Sequence, residues 1–462
     1  MTPAQLQALS SISGSADLLS DAADCWSYGY DNSRRHQAPD AVVFPCDHET
    51  VQRIVQFCYR ENIPLTPRGR GTGTTGATVP ARGGLVLSME RMDRILDFDP
   101  ANRTITVEPG VTNQAVQERA AEYGLFWAPD PTSAAFCTVG GNLAYNSAGP
   151  RAVKYGTPRE NTLGLRAVSG AGETFRCGVR TTKGVVGYDL TRLLIGSEGT
   201  LAIITEAVLK LLPRPAAKGT MRAVYRDIES AAQAIAEIMG QPEVPCALEF
   251  IDAQAIAMIR HHSRADLPEQ AGAMLIIEAD GSPASLEQAI AAIHAAARNT
   301  GLVDFRSATS DKEIKALWDT RKALSPALRT VAPKKINEDV VVPVSSLPAL
   351  ITGLERLARR FGITIVNFGH AGNGNIHVNL LVDPDDARQM ERAHTCLMQV
   401  FDLVLSLDGT LSGEHGVGLE KRDFIAREIG SEALQLMRRI KDQFDPRHIL
   451  NPGKMLPPIQ TD

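Results

Sequence analysis

One stretch limits what this chain can fold into: Gly369-His370-Ala371-Gly372-Asn373-Gly374-Asn375-Ile376-His377-Val378-Asn379. Residues 363–368 before it and 375–382 after it read as strands. Gly and Asn tolerate positive φ, so the middle supplies the turn of a hairpin. In the second strand Asn375, His377 and Asn379 fall on one face, because strand side chains alternate with period two. Such a hairpin offers two imidazoles and two amides to a metal or an anion. A second element, Gly413-Glu414-His415-Gly416, completes it. Imidazole and carboxylate are ligands of zinc or manganese, and three protein ligands leave a position open for substrate. A histidine taken singly is more often a hydrogen-bonded structural residue. The glycine-flanked clustering with Glu414 and His415 is what points to a site.

The chain of 462 residues has room for two or three domains, each with its own core. A net charge of −5 without a dense Lys/Arg run excludes a nucleic-acid surface. The longest apolar runs, 273–277 and 289–293, are too short to span a bilayer. The start Met1-Thr2-Pro3-Ala4-Gln5 has neither a basic region nor an apolar core, so no signal peptide is expected. Seven cysteines without C-x-x-C spacing read as reduced thiols of a cytoplasmic protein.

Residues 1–40 are weakly patterned, and 41–44 form a short strand. In 50–62, Val51, Ile54, Val55 and Cys58 have the spacing of an amphipathic helix capped by Asp47 or Thr50. A strand at 63–66 leads into Pro67-Arg68-Gly69-Arg70-Gly71-Thr72-Gly73-Thr74-Thr75-Gly76-Ala77. Gly71, Gly73 and Gly76 have the G-x-G-x-x-G spacing, but a dinucleotide fold needs a helix directly after the glycines. Val79-Pro80-Ala81-Arg82-Gly83-Gly84 and a strand at 85–88 follow instead. A P-loop fails too, for lack of Gly-Lys-Ser/Thr. What remains is a Gly/Thr loop between strands, whose N–H groups and hydroxyls cradle phosphates as a nest. Its candidate contacts are Arg68, Gly69, Arg70, Gly71, Thr72, Gly73 and Thr74. A second small-residue stretch holds Thr138, Gly140, Gly141 and Asn142. A third, Gly196-Ser197-Glu198-Gly199-Thr200-Leu201, runs into a strand at 202–205 that includes Ile204. Three such loops within the first 205 residues point to one large bound cofactor.

Pro213-Arg214-Pro215 marks a boundary. The expected division is 1–214, 215–411 and 412–462. Residues 220–382 show strand-helix-strand three times, at 221–250, 273–306 and 340–368. They read as an α+β layer with helices on one face of an antiparallel sheet. The insertion 311–333 carries Trp318, Arg321 and Lys322 on a helical pattern. Helices are expected at 385–407 and 431–444, and Asn451-Pro452-Gly453-Lys454 forms a terminal hook.

These motifs, in this order, resemble the FAD-linked D-2-hydroxyacid dehydrogenases of the vanillyl-alcohol-oxidase flavoprotein fold. That family includes D-lactate, D-2-hydroxyglutarate and glycolate-oxidising members. The resemblance runs from about residue 25 to the end. It implies an α+β fold with a two-subdomain FAD-binding domain, a cap with an antiparallel sheet, and a C-terminal segment that returns to the FAD and includes Asn451. It implies His370, His377 and Glu414 as metal ligands, His415 as general base and Arg321 as the carboxylate anchor. Asn379 and Lys335, the latter chosen over Lys334, would face the substrate. Members often carry Asp where this chain has Asn373, which removes a charge near the site but no ligand. No histidine stands in the first loop, so the FAD is expected to be non-covalent.

The expected reaction is oxidation of a small D-2-hydroxyacid, D-lactate ahead of D-2-hydroxyglutarate or glycolate. The metal lowers the pKa of the 2-hydroxyl, a histidine takes its proton near neutral pH, and C2 gives a hydride to flavin N5. Two other classes stay open: a flavin-free metal-dependent hydrolase, and a flavoprotein that has lost turnover. The electron acceptor, whether quinone, electron-transfer flavoprotein or cytochrome, is open, as are a homodimer and a location peripheral to the inner membrane.

Overall fold

The computed structural model describes residues 1–260 and 267–458, and the chain divides into two compact units. The first contains Met1–Ala148, Gly156–Arg214 and Glu414–Asp462. The second contains Gly149–Tyr155 and Pro215–Gly413.

The first unit is built on two sheets. In the smaller, strands run in the order Leu18–Leu19, Ala41–Val43, Leu85–Ser88, Leu65–Arg68, and the last three are parallel. Parallel strands are covered on both faces and read as unbroken apolar runs, and Leu85–Ser88 is buried throughout. Helix His48–Glu61 packs Val51, Ile54, Val55 and Cys58 into this core. Asp47 caps its start and Asn62 ends it with left-handed backbone. The supposedly unpatterned N-terminus also folds. Thr2 and Gln5 form a capping box, Pro3 occupies the first turn, and helix Pro3–Ser13 packs beside His48–Glu61.

The larger sheet is centred on the long strand Ala202–Pro213, of which the expected strand at 202–205 is only the beginning. It pairs antiparallel with Thr104–Val107, Thr162–Ser169 and Leu125–Trp127. The C-terminal segment is woven into the smaller sheet. Helix Ser431–Phe444 ends at Asp445, and the chain then runs alongside Leu65, whose N–H donates to Ile449 and whose carbonyl accepts from Asn451. Asp445 is fully buried and accepts from the N–H groups of Ile449 and Leu450 and from the Lys441 ammonium.

The second unit is a seven-stranded antiparallel sheet. Its order is Leu302–Ser307, Ala217–Tyr225, Ala273–Gly281, Ala247–Asp252, Thr364–His370, Asn375–Val382, Lys334–Val341. Helices Ile228–Gly240, Pro283–Ala296, Leu347–Phe361 and Ala387–Ser406 lie on one face. Helices do not lie on one face only, however. Ala253–Ile259 and the long helix Asp311–Val331 cover the other face over Val224, Ile251, Met274, Ile276, Val366 and Phe368. The physical reason is in the strands. Ala273 to Ile277 is apolar at every position and buried at every position, which requires cover on both faces. No helix among the described residues is long and apolar enough to cross a membrane.

Asp445→Asn keeps the shape but removes the counter-charge of Lys441, which is only 12% exposed. We expect it to destabilise the first unit by about 3 kcal/mol, read from denaturant unfolding. A loss below about 0.5 kcal/mol, as for a surface pair, would contradict the buried role.

Candidate active site

In the first unit residues of the three small-residue loops and of the terminal hook line one open cleft. Arg68 and Gly69 line it from the first loop, Thr138, Gly140 and Gly141 from the second, and Glu198, Gly199 and Ile204 from the third, with Asn451. Arg70, Gly71, Thr72, Gly73, Thr74 and Asn142 do not line it. The glycines are there for close approach. A Cβ on Gly140 would stand 2.6 Å from the Pro109 side chain, and one on Gly199, at φ +67°, would stand 2.5 Å from Pro67.

Neither arginine of the first loop is a free phosphate ligand. Arg68 is buried, donating to the Tyr30 carbonyl at 2.7 Å and Thr78 Oγ1 at 3.3 Å, and Gly71 closes over its guanidinium. Arg70 is exposed and pairs with Glu90 at 3.5 Å. What the cleft offers is backbone, apolar floor and neutral donors. Tyr145 lines it, and its buried hydroxyl makes no hydrogen bond of normal geometry among the described residues. Burial, with the Glu198 charge, pushes its pKa well up, so it stays a donor. A flat, polar-edged cofactor such as FAD fits this lining.

Glu198, at φ +53°, ties the hook to this cleft. Its carboxylate accepts from the N–H groups of Val417 and Gly418, and its carbonyl from the Asn451 amide at 2.7 Å. Burial raises its pKa against those donors and the nearby Lys454 and Lys421. Lys454, buried, donates to the Ala77 carbonyl at 2.8 Å, and burial pulls its pKa down to about 7. Tyr145 and Lys454 were passed over in the sequence. Lys454 closes the quoted hook motif, but nothing local reveals that a lysine will be buried.

The second unit carries the hairpin. Register places Phe368 and Asp339 opposite His377, Asn337 and Val366 opposite Asn379, and Glu249 opposite His370. Directly opposed residues share a face, so these side chains project together from the face covered by helix Asp311–Val331. The turn demands Gly374, at φ +72°, because a Cβ there would meet the Val342 carbonyl. The two imidazoles stand edge to face with centroids 5.2 Å apart. Glu249, 1% exposed, accepts from His370 Nδ1 at 2.5 Å and from Arg321 Nε at 2.6 Å. Burial raises this carboxyl's pKa, yet His370 and Arg321 together hold it below the usual range. Arg321 also stacks over Phe368 at 4.9 Å, and its two terminal nitrogens have no hydrogen-bond partner among the described residues.

Glu414 is set by its neighbour along the chain. The Gly413 N–H donates to the Asp339 carbonyl at 2.9 Å and to its carboxylate at 3.0 Å. Ser412 Oγ reaches the same carboxylate. His370 and His377 are both buried on the hairpin, and Glu414 follows Gly413 directly in the chain. The His415 carbonyl accepts from Thr75 Oγ1 at 3.2 Å. The hairpin amides serve the backbone. Asn375 donates to Val340, and Asn379 donates to Val366 and His377, leaving its buried Oδ1 without a partner among the described residues. Lys335 lies on the face of Asn337 and Asn379 and donates to Ser325 at 2.8 Å, whereas alternation turns Lys334 to the other face.

A sheet-built first unit with a loop-lined cleft, followed by an antiparallel cap, defines a two-part flavoprotein of the vanillyl-alcohol-oxidase fold. Comparison agrees: p-cresol methylhydroxylase, solved with substrate bound, superposes with a TM-score of 0.80 at 16% identity, over 100% of this chain and 99% of that one. The family pattern "FAD binding domain" matches residues 39–178, and "FAD linked oxidases, C-terminal domain" matches residues 214–455. The glycolate oxidase subunit GlcD of Bacillus subtilis is 39% identical, over 93% of this chain and 91% of its own length. The probable mitochondrial D-lactate dehydrogenase of Danio rerio is 34% identical, over 98% and 91%. The chain belongs to the FAD-linked oxidase family and is an FAD-linked oxidoreductase.

Lys454 has a folded pKa below its unfolded value of 10.5. As pH falls from about 10 to about 7 the unfolded chain binds this proton first, so stability declines across that window and the full cost of burying the charge is present below it. Lys454→Met should therefore lower the slope of unfolding free energy against pH by about 1.4 kcal/mol per unit between pH 7 and 10. An unchanged slope would show that the lysine is solvated.

Proposed function

We propose that this chain oxidises a small D-2-hydroxyacid, D-lactate to pyruvate in the first instance, with a divalent ion held by His370, His377 and Glu414. The observation that carries the proposal is the pair of buried imidazoles on one hairpin beside Arg321, whose two terminal nitrogens have no hydrogen-bond partner among the described residues. The donor set of two imidazoles and a carboxylate suits zinc or manganese. Bound FAD supplies a hydride acceptor, and the ion supplies Lewis acidity toward a 2-hydroxyl. The protein's own residues do the rest. Arg321 grips the carboxylate end-on with its terminal nitrogens, which fixes C2. His415 takes the hydroxyl proton. Adjacent side chains diverge, so Glu414 serves the ion while His415 serves the substrate.

Arg321 as the one proposed carboxylate anchor favours a monocarboxylate, and Lys335 is engaged with Ser325. Glycolate meets the same requirement, and a 39% identical relative is named for it. It is the second reading, with D-2-hydroxyglutarate third. An acceptor of the quinone, electron-transfer flavoprotein or cytochrome class completes the cycle. Seven free thiols, five of them buried, support a cytoplasmic setting.

Acid precipitation should release a yellow chromophore into the supernatant, because the FAD is held without a covalent bond; colour kept in the pellet would refute that. His377→Ala should lose metal and regain part of its activity with excess metal. His415→Ala should keep metal and FAD but slow flavin reduction by roughly 10²–10⁴-fold. If His415→Ala emerges metal-free while His377→Ala keeps a full equivalent, the two roles are assigned wrongly.

A further inference from the structure

Glu249 belongs to no motif and is not itself a candidate ligand, yet it touches both halves of the proposed site. We infer that Glu249 is a positioning residue: one carboxylate that orients His370 toward the ion and Arg321 toward the substrate, coupling metal affinity to substrate affinity. The inference rests on the reading of His370 as ligand and Arg321 as anchor.

The geometry allows little else. Oε1 accepts from His370 Nδ1, so Nδ1 carries the proton, which selects the tautomer in which Nε2 is the ligating nitrogen. Oε2 accepts from Arg321 Nε, which leaves the terminal pair as the only face with which the guanidinium can take a carboxylate. The Phe368 ring lies under the guanidinium, 4.9 Å from its centre to Cζ, and adds a cation–π contact. The positioning side chain is itself held by depth: it sits mid-sheet, opposite Ile276 on one side and His370 on the other. The neighbouring strand repeats the device. Glu278 accepts from Trp318 Nε1 at 2.8 Å, so the same helix is moored to the sheet by two buried carboxylates, at Trp318 and, one turn on, at Arg321.

The test uses the purified flavoprotein. Glu249→Gln keeps the volume but loses the charge and one acceptor. Zinc or manganese affinity, measured by titration, should weaken 10–100-fold, and the D-lactate concentration for half-maximal anaerobic flavin reduction should rise on the order of ten-fold. In a His370→Ala background Glu249→Gln should leave metal affinity unchanged within about two-fold, because a residue acting through His370 has nothing left to act on. A full additional loss there shows general damage and overturns the inference, as does a single variant that changes only one of the two affinities. If Glu249→Gln does not fold, Glu249→Asp, with its shorter reach, must weaken both affinities together. A wild-type protein that binds no divalent metal sinks the metal reading itself; one that binds metal through His370 while Glu249→Gln is silent sinks only this inference.

Discussion

A carboxylate with 1% exposure in the middle of a sheet is costly unless its charge is answered. Glu249 is answered twice, by Arg321 and by His370, and much of the cap follows from that. The helix Asp311–Val331 must lie on the face where Arg321 can reach the strand, and the hairpin must keep the register that puts His370 opposite Glu249. A one-residue slip would turn His370 to the other face and leave Glu249 answered by Arg321 alone. The ion pair therefore fixes register as well as site.

The first unit solves a related problem with backbone. Its cleft offers few free charges, because Arg68 is turned inward and Arg70 outward. The cleft is shaped by close approach at glycines and by the hook, which Glu198, Asn451 and Lys454 stitch back to Ala77. Charges buried in that stitching serve the fold first, and their shifted protonation follows from burial.

Elements with a strong local signal were legible. The helix Ser431–Phe444 and the strand Leu85–Ser88 have the boundaries their periodicity gives. The helix Pro3–Ser13 was hidden by weak amphipathicity, although Thr2, Pro3 and Gln5 spell its start. Helices on both cap faces could have been read from the unbroken apolar run at Ala273. Within the site, the hairpin and Glu414-His415 declare themselves by clustering. Glu249 does not, because its partners are 72 and 121 residues away. A lone acid inside the apolar strand Ala-Leu-Glu-Phe-Ile was the one clue, since a buried charge needs a partner.

Under the proposed function, hydroxyacid oxidation needs the ion as well as the flavin. Stopped-flow flavin reduction by D-lactate, without oxygen, compares native protein with protein stripped by a chelator and then reloaded with zinc or manganese. Stripped protein should stay yellow, keep its FAD and be reduced far more slowly, and reloading should restore the rate. Stripped protein that bleaches as fast as native protein would contradict it.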